Sequence, residues 1–286
     1  MKREEKEELL DYLVQFLNIE KQFPLLPGVN DQSAVAQFIG IDEDELSSIR
    51  ANFDENTKQA AFELLKDETV KKQIKNLPFK KDDKIAVIGD ALTDDLQSWF
   101  PIFRHVMEIG VMGAKFSWYD ASMASETTAN ILMRLDRDVL ANKPDWVIIA
   151  LGSDDAKRPH LATTRTLVSL AEFWENTNTI ESAIQLVVKN PIIWITPPPP
   201  VTELMQQHPL FNGVVHEEDL KQYREVIAGK QGYIVDPTGN RLGNPPEAWN
   251  LLGDGYHPSL VGHLNTVKAL IGAMNKDKQD TSEEIS

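Results

Sequence analysis

The chain has 286 residues, 42% of them hydrophobic, and a formal net charge of −15. That is enough apolar side chain for one large α/β domain carrying a helical attachment. So acidic a balance argues against nucleic acid or an anionic membrane surface as partner. Cysteine is absent, which excludes disulfides, thiol catalysis and thiolate metal sites.

The amino terminus, Met1-Lys-Arg-Glu-Glu, is charged, and Leu9 to Leu17 is interrupted by Asp11 and Gln15, so no signal-peptide core is read. No apolar run approaches the length of a membrane span, and a cytoplasmic location is expected. Leu9, Leu10, Leu13, Val14 and Leu17 recur at helical spacing and predict an amphipathic helix from Glu5 to about Ile19. Pro24, Pro27 and Gly28 mark a loop. Further helices are expected at about 31 to 38, 43 to 50 and 55 to 75, the second opened by the acids of 42 to 45. Residues 1 to 80 thus read as an N-terminal helical region.

From 84 onward strand-like and helix-like segments alternate. Strands are expected at 84 to 88, 114 to 119, Trp146 to Leu151, Ile192 to Thr196 and Gly232 to Val235. Helices are expected at about 94 to 109, 126 to 142, 163 to 189, 217 to 228 and 259 to 274. Alternation of this kind predicts an α/β fold: a five-stranded parallel sheet of flavodoxin-like order, with helices on both faces, over residues 81 to 275. Pro101 predicts a kink or a late start in the first of these helices. The prolines of Thr196-Pro-Pro-Pro-Pro-Val201 predict a stiff wall after the fourth strand. The polar stretch 276 to 286 reads as a disordered tail.

The organising stretch is Ile85-Ala-Val-Ile-Gly-Asp-Ala-Leu-Thr-Asp-Asp95, a buried strand that stops at Gly89-Asp90 and opens into a polar turn. Open α/β sheets bind ligands at such carboxyl ends. These residues resemble the first sequence block of the SGNH/GDSL hydrolases, Gly-Asp-Ser-Leu, in which the serine is the nucleophile. Here that position is Ala91. Asp254-Gly-Tyr-His257-Pro258 resembles the family's last block, which implies His257 as general base and Asp254 as its orienting acid. Gly152-Ser-Asp-Asp155 keeps the frame of the Gly-x-Asn-Asp block, with Asp154 where the family has its oxyanion-donating asparagine. An ionised carboxylate has no donor to offer. Asp120-Ala-Ser-Met-Ala-Ser-Glu-Thr-Thr128 matches the second block, with Ser122 and Ser125 at glycine positions and the Ser122 N–H as the implied oxyanion donor. Any positive φ there would be strained.

The resemblance implies ester hydrolysis on a small acyl or acetyl ester, or on an acylated carbohydrate, without a cofactor. It departs from the family at the nucleophile. Two readings stay open: an ester hydrolase disabled at Ala91, and a natural pseudoenzyme that uses the cleft to bind a carbohydrate, an acyl ligand or a protein partner. Thr93, Ser122, Ser125 and Ser153 are read as turn hydroxyls, since the family geometry aims His257 at residue 91. The cluster Asp90, Asp94, Asp95, Asp120, Asp154 and Asp155 invites a divalent-cation reading. Turn bracing by Asp90 and Asp155 and helix initiation by Asp94 and Asp95 explain it more simply, so no metal is expected. Trp118, Tyr119, Trp249 and Tyr256 are the aromatic residues expected near the cleft mouth. The sequence leaves the oligomeric state open.

Overall fold

The computed structural model describes residues 3–283 except Thr163, Pro209 and Leu210, with side chains for all of these but residues 3–8, Asn240 and 276–283. Five helices come first: α1 (Arg3–Phe16), α2 (Ile19–Gln22), α3 (Gln32–Ile39), α4 (Glu43–Leu64) and α5 (Glu68–Lys75). Their starts follow capping chemistry. Asp31, Asp42 and Asp67 each accept a backbone N–H from the first turn of α3, α4 and α5. Sequence periodicity predicted two helices over 43 to 75 with a gap near 52. The break falls instead at residues 65–67, where Asp67 supplies the next cap.

The alternating part contains β1 (Lys84–Gly89), α6 (Ala91–Asp94), α7 (Trp99–Gly110), β2 (Ser117–Asp120), α8 (Thr128–Asp138) and β3 (Trp146–Ala150). Then come β4 (Arg158–Pro159), α9 (Leu170–Gln185), β5 (Ile193–Ile195), α10 (Thr202–Gln207), β6 (Gly213–Val214), α11 (Glu217–Ala228), β7 (Tyr233–Val235) and α12 (Leu260–Glu283). The main sheet has the order β2-β1-β3-β5-β7 with every pairing parallel, the flavodoxin-like arrangement expected. Pro101 causes a late start: Ser98 caps α7 through the Phe100 N–H, and the proline sits in the first turn, where its missing N–H costs nothing.

Alternation along the strands divides the core. Ile85, Val87, Trp146, Ile148, Ile193 and Ile195 face one side, against Leu64, Ile74, Phe103, Val106 and Leu270. Ala86, Ile88, Val147, Ile149 and Trp194 face the other, against Ile131, Leu135, Phe173, Ile180 and Leu220. The last turns of α4 and all of α5 therefore cover one sheet face. A third cluster, of Val14, Ile19, Val29, Val35, Leu46 and Phe53, holds the first helices together and takes in Leu96 from the sheet-bearing part.

Several boundaries differ from expectation. β2 starts at Ser117 rather than 114, and α9 starts at Leu170, where Ser169 and Glu172 form a capping box, rather than at 163. The antiparallel pair β4–β6 and the helix α10 were not expected. The four prolines lie in an unassigned segment whose Pro197 and Pro198 line a small space under Asp90. The stretch expected as a tail from 276 continues α12 in helical form to Glu283, and residues 284–286 lie outside those described.

Candidate active site

The turn after β1 is tight because of glycine. A Cβ on Gly89 would come within 2.3 Å of the Thr93 Cβ, so the chain folds back there only without a side chain. Asp90 caps α6, accepting the Leu92 N–H at 3.2 Å. Its other oxygen accepts the Ser153 N–H at 3.1 Å and the Ser153 hydroxyl, which ties the turn after β1 to the turn after β3. Burial, and then the neighbouring Asp154 carboxylate, push Asp90 up to about 7. Asp155 is likewise pushed by burial to about 7, against hydrogen bonds from the Thr128 hydroxyl at 2.6 Å and N–H at 3.0 Å.

The opposite wall is the turn before α12. Gly255 adopts φ +72°, and a Cβ there would meet the Val201 carbonyl oxygen at 2.6 Å. That turn brings Asp254 and His257 together. One Asp254 oxygen accepts the N–H groups of Tyr256 (2.8 Å) and His257 (3.0 Å), and the other lies 2.7 Å from His257 Nδ1. With the proton on Nδ1, the imidazole leaves Nε2 as a base. Burial raises the Asp254 carboxyl, but the hydrogen bond and charge of His257 outweigh it and hold it below the usual range.

Ala91, Asp154 and His257 share the wall of one cavity of about 460 Å³, together with Tyr12, Phe16, Ser125, Lys157, Phe211 and Tyr256. Asp154 fills the space facing Ala91. One of its oxygens lies 3.5 Å from the Ala91 N–H, and the other accepts the Tyr256 hydroxyl at 3.2 Å and pairs with the Lys157 ammonium. Lys157 also lies 5.0 Å from the Tyr256 ring centre. The backbone donor at residue 91 therefore meets a carboxylate.

Ser122 stands apart from this cavity. Its N–H donates to Asp120 at 3.0 Å, its hydroxyl does the same, and it lines a different groove beside Trp118 and Tyr119. The one described residue of this loop with a positive φ is Ser125, at +64°. Of the four aromatic residues expected near the mouth, Tyr256 lines the cavity; Trp118 and Tyr119 line the other groove, and Trp249 is 64% exposed. Among hydroxyls, Thr93 accepts the Trp99 indole N–H at 3.1 Å, and Ser153 serves Asp90. Ser125 is the one serine or threonine among the described residues lining the cavity.

Each carboxylate of the acidic cluster has a protein partner. Lys21 reaches Asp94 at 2.5 Å and Asp120 at 2.6 Å, and Gln15 and His263 reach Asp95 at 2.8 and 3.1 Å. Among the described residues no group of three or more His, Cys, Asp or Glu side chains is arranged to hold a metal ion. Sequence reasoning missed Lys157, Phe211, Tyr12 and Phe16. Only the last two carried a signal, an aromatic pair at i,i+4 off the leucine stripe of α1.

The sequence profile of the GDSL-like lipase/acylhydrolase family matches residues 87–264, from β1 into α12. The chain belongs to this family. No curated protein matches it. Among solved structures, this GDSL-family chain resembles a catalytic mutant of Axe2, an acetylxylan esterase from Geobacillus stearothermophilus, with 19% identity and a TM-score of 0.55 over 68% of this chain and 95% of that one. It resembles LAE5, an alpha/beta hydrolase enzyme from the metagenome of Lake Arreo, with 20% identity, TM-score 0.56 and coverage of 69% and 97%. The lipase/acylhydrolase from Enterococcus faecalis follows at 25% identity, TM-score 0.51 and coverage of 66% and 94%. The five-stranded sheet with its helices is the fold shared with these structures. The matches leave about a third of this chain uncovered, and the family profile begins only after α1–α5.

Proposed function

We propose that this GDSL-family chain carries an esterase-type cleft in which hydrolysis is switched off, and that it binds an acylated ligand without turning it over. The observation that carries this reading is the carboxylate of Asp154 lying against the Ala91 N–H. Acyl transfer needs a nucleophile, a base, an orienting acid and donors for the oxyanion. In this reading Ala91 stands at the nucleophile position, His257 is the base and Asp254 its orienting acid. The donor site meets negative charge instead of a hydrogen-bond donor. Ser122, implied as a second donor, spends its N–H on Asp120. Loss of a serine nucleophile costs on the order of 10⁶ in turnover in serine hydrolases.

The names of the structural neighbours support the choice of ligand class. The Geobacillus protein is named an acetyl-xylooligosaccharide esterase, and its solved catalytic mutants replace a serine, a histidine, or an aspartate three residues before that histidine, by alanine. That spacing equals the spacing of Asp254 and His257. An acetylated oligosaccharide is therefore the first ligand to try.

A second reading is an esterase silenced at Ala91 alone. The 2.7 Å contact between His257 Nδ1 and Asp254 favours it, because this is the half of the machinery that would still work once a hydroxyl returned. Hydrolysis of p-nitrophenyl acetate by the chain and by Ala91→Ser separates the two. A silent parent and a near-silent Ala91→Ser support the binding reading. Fast turnover by Ala91→Ser alone supports the second. Turnover by the parent itself refutes both.

A further inference from the structure

α1 has two working faces. Leu10 and Val14, with Leu17 just past the end of the helix, form a stripe that packs into the third core cluster with Val35, Leu46 and Phe53. That stripe accounts for the helix as a packing element, but it leaves Tyr12 and Phe16 unexplained. These two, four residues apart, stand side by side with ring centres 4.6 Å apart. They lie on the candidate active site. The Phe16 ring covers one face of the His257 imidazole, with centres 4.0 Å apart and a tilt of 33°. The Tyr12 hydroxyl lies 3.2 Å from Asp254 Oδ2, the oxygen that also meets His257 Nδ1, and 3.4 Å from Nδ1 itself. His257 is 4% exposed and Asp254 2%.

The segment that follows is fixed to the turn after β1 at several points. Gln15 donates to Asp95 at 2.8 Å and accepts the Leu96 N–H at 3.2 Å through its carbonyl. Asn18 donates to the Asp94 carbonyl at 2.8 Å, and Lys21 bridges Asp94 and Asp120. Spread over residues 12–21, these contacts make a bound wall. All of it lies before residue 87, outside the stretch that matches the family profile.

We propose that α1 is part of the site: Tyr12 is a positioning residue that holds the Asp254 carboxylate and with it the His257 imidazole, and Phe16 is the wall that closes the ligand cavity over that imidazole. This rests on the reading of Asp254 and His257 as the pair the ligand meets. Burial and the Asp254 carboxylate keep the Tyr12 phenol protonated far above neutral pH, so it remains a donor. With two donors on one oxygen, the carboxylate is fixed in rotation and the imidazole is fixed with it. Phe16, its ring centre 4.0 Å from that of the imidazole, blocks that face of His257 and limits the ligand group to what fits beside the ring.

The test uses the full chain without restoring activity. The hydrogen-bonded imidazole N–H of His257 is followed by proton NMR in the parent and in Tyr12→Phe, with Asp254→Asn to assign the signal. Access to the imidazole is followed as carbethoxylation of the His257 peptide by diethyl pyrocarbonate, read by mass spectrometry, with the exposed His160 as internal reference. Tyr12→Phe should shift the N–H signal with the melting temperature nearly unchanged. Phe16→Ala should raise His257 labelling several-fold while His160 labelling stays constant, and Phe16→Leu should give an intermediate rate if the alanine variant folds poorly. An unmoved N–H signal and unchanged labelling in folded variants would overturn the proposal. An inactive Ala91→Ser variant would bear on the reading of the cleft and leave these two readouts standing.

Discussion

The placement of Asp154 makes a quantitative prediction about restoring hydrolysis. In the proposed reading Ala91→Ser returns a nucleophile to the cavity that His257 also lines, yet the developing oxyanion would still face the Asp154 carboxylate, 3.5 Å from the N of residue 91. A unit charge about 4 Å away costs about 4 kcal/mol at an effective dielectric near 20. The Lys157 ammonium paired with Asp154 offsets part of that. A lost oxyanion donor costs about 10² to 10³ in turnover. Asp154→Asn removes the charge and supplies an amide donor, while its carbonyl can still accept the Tyr256 hydroxyl. The double variant Ala91→Ser/Asp154→Asn should therefore hydrolyse p-nitrophenyl acetate about 10² to 10³ faster than Ala91→Ser alone. Asp154→Asn by itself should gain nothing. Equal rates for the single and double serine variants, both folded, would refute the placement of Asp154 at the oxyanion.

Four further outcomes are expected. A serine-reactive phosphonate should leave the parent chain unlabelled, as judged by intact mass, and should label position 91 only in the double variant; labelling of the parent at Ser125 would identify a different nucleophile. Asp90 and Asp155 sit near 7 in the fold against an ordinary value of about 3.9, so the native state binds more protons between about pH 4 and 7. Their contribution is therefore fully present at low pH and is lost as pH rises through 7. The urea midpoint should be higher at pH 5 than at pH 8, and Asp155→Asn should narrow that gap. Gly89→Ala pushes a Cβ into Thr93 and should lower stability by about 1 to 3 kcal/mol in chemical denaturation. Lys21→Met leaves the buried Asp94 without its cation and should cost about 3 kcal/mol by the same measurement.

The sheet was legible because its strands are short apolar runs whose alternate residues both find a covered face, as Ile85 to Ile88 and Trp146 to Ile149 do. The contact between His257 and Asp254 was expected from the resemblance of Asp254-Gly-Tyr-His257-Pro258 to the family's last block, since the three-residue spacing alone is a weak signal. Less could be read where geometry depends on distant chain. Tyr12 meets Asp254 across 242 residues, and no local pattern announces that contact. The role expected of Ser122 rested on counting along a loop. The loop turns instead at Ser125 and gives the Ser122 N–H to Asp120. Residues 158–159 and 213–214 pair through two residues each, too few to show a period. The acidic cluster invites a cation reading in sequence, though a weaker one than turn bracing, because Lys21, Gln15 and His263 reach it from elsewhere in the chain; only Lys157, three residues after Asp154, is a local partner.

In the proposed reading the cleft around His257 binds an acylated ligand and does not cleave it. The most direct measurement is calorimetric titration of the parent chain with an acetylated xylooligosaccharide, with released acetate assayed in the same sample. Saturable binding that weakens in Phe16→Ala, with no acetate above the uncatalysed background, is the predicted result. Acetate released with turnover, or the absence of any binding by the folded chain, would contradict it.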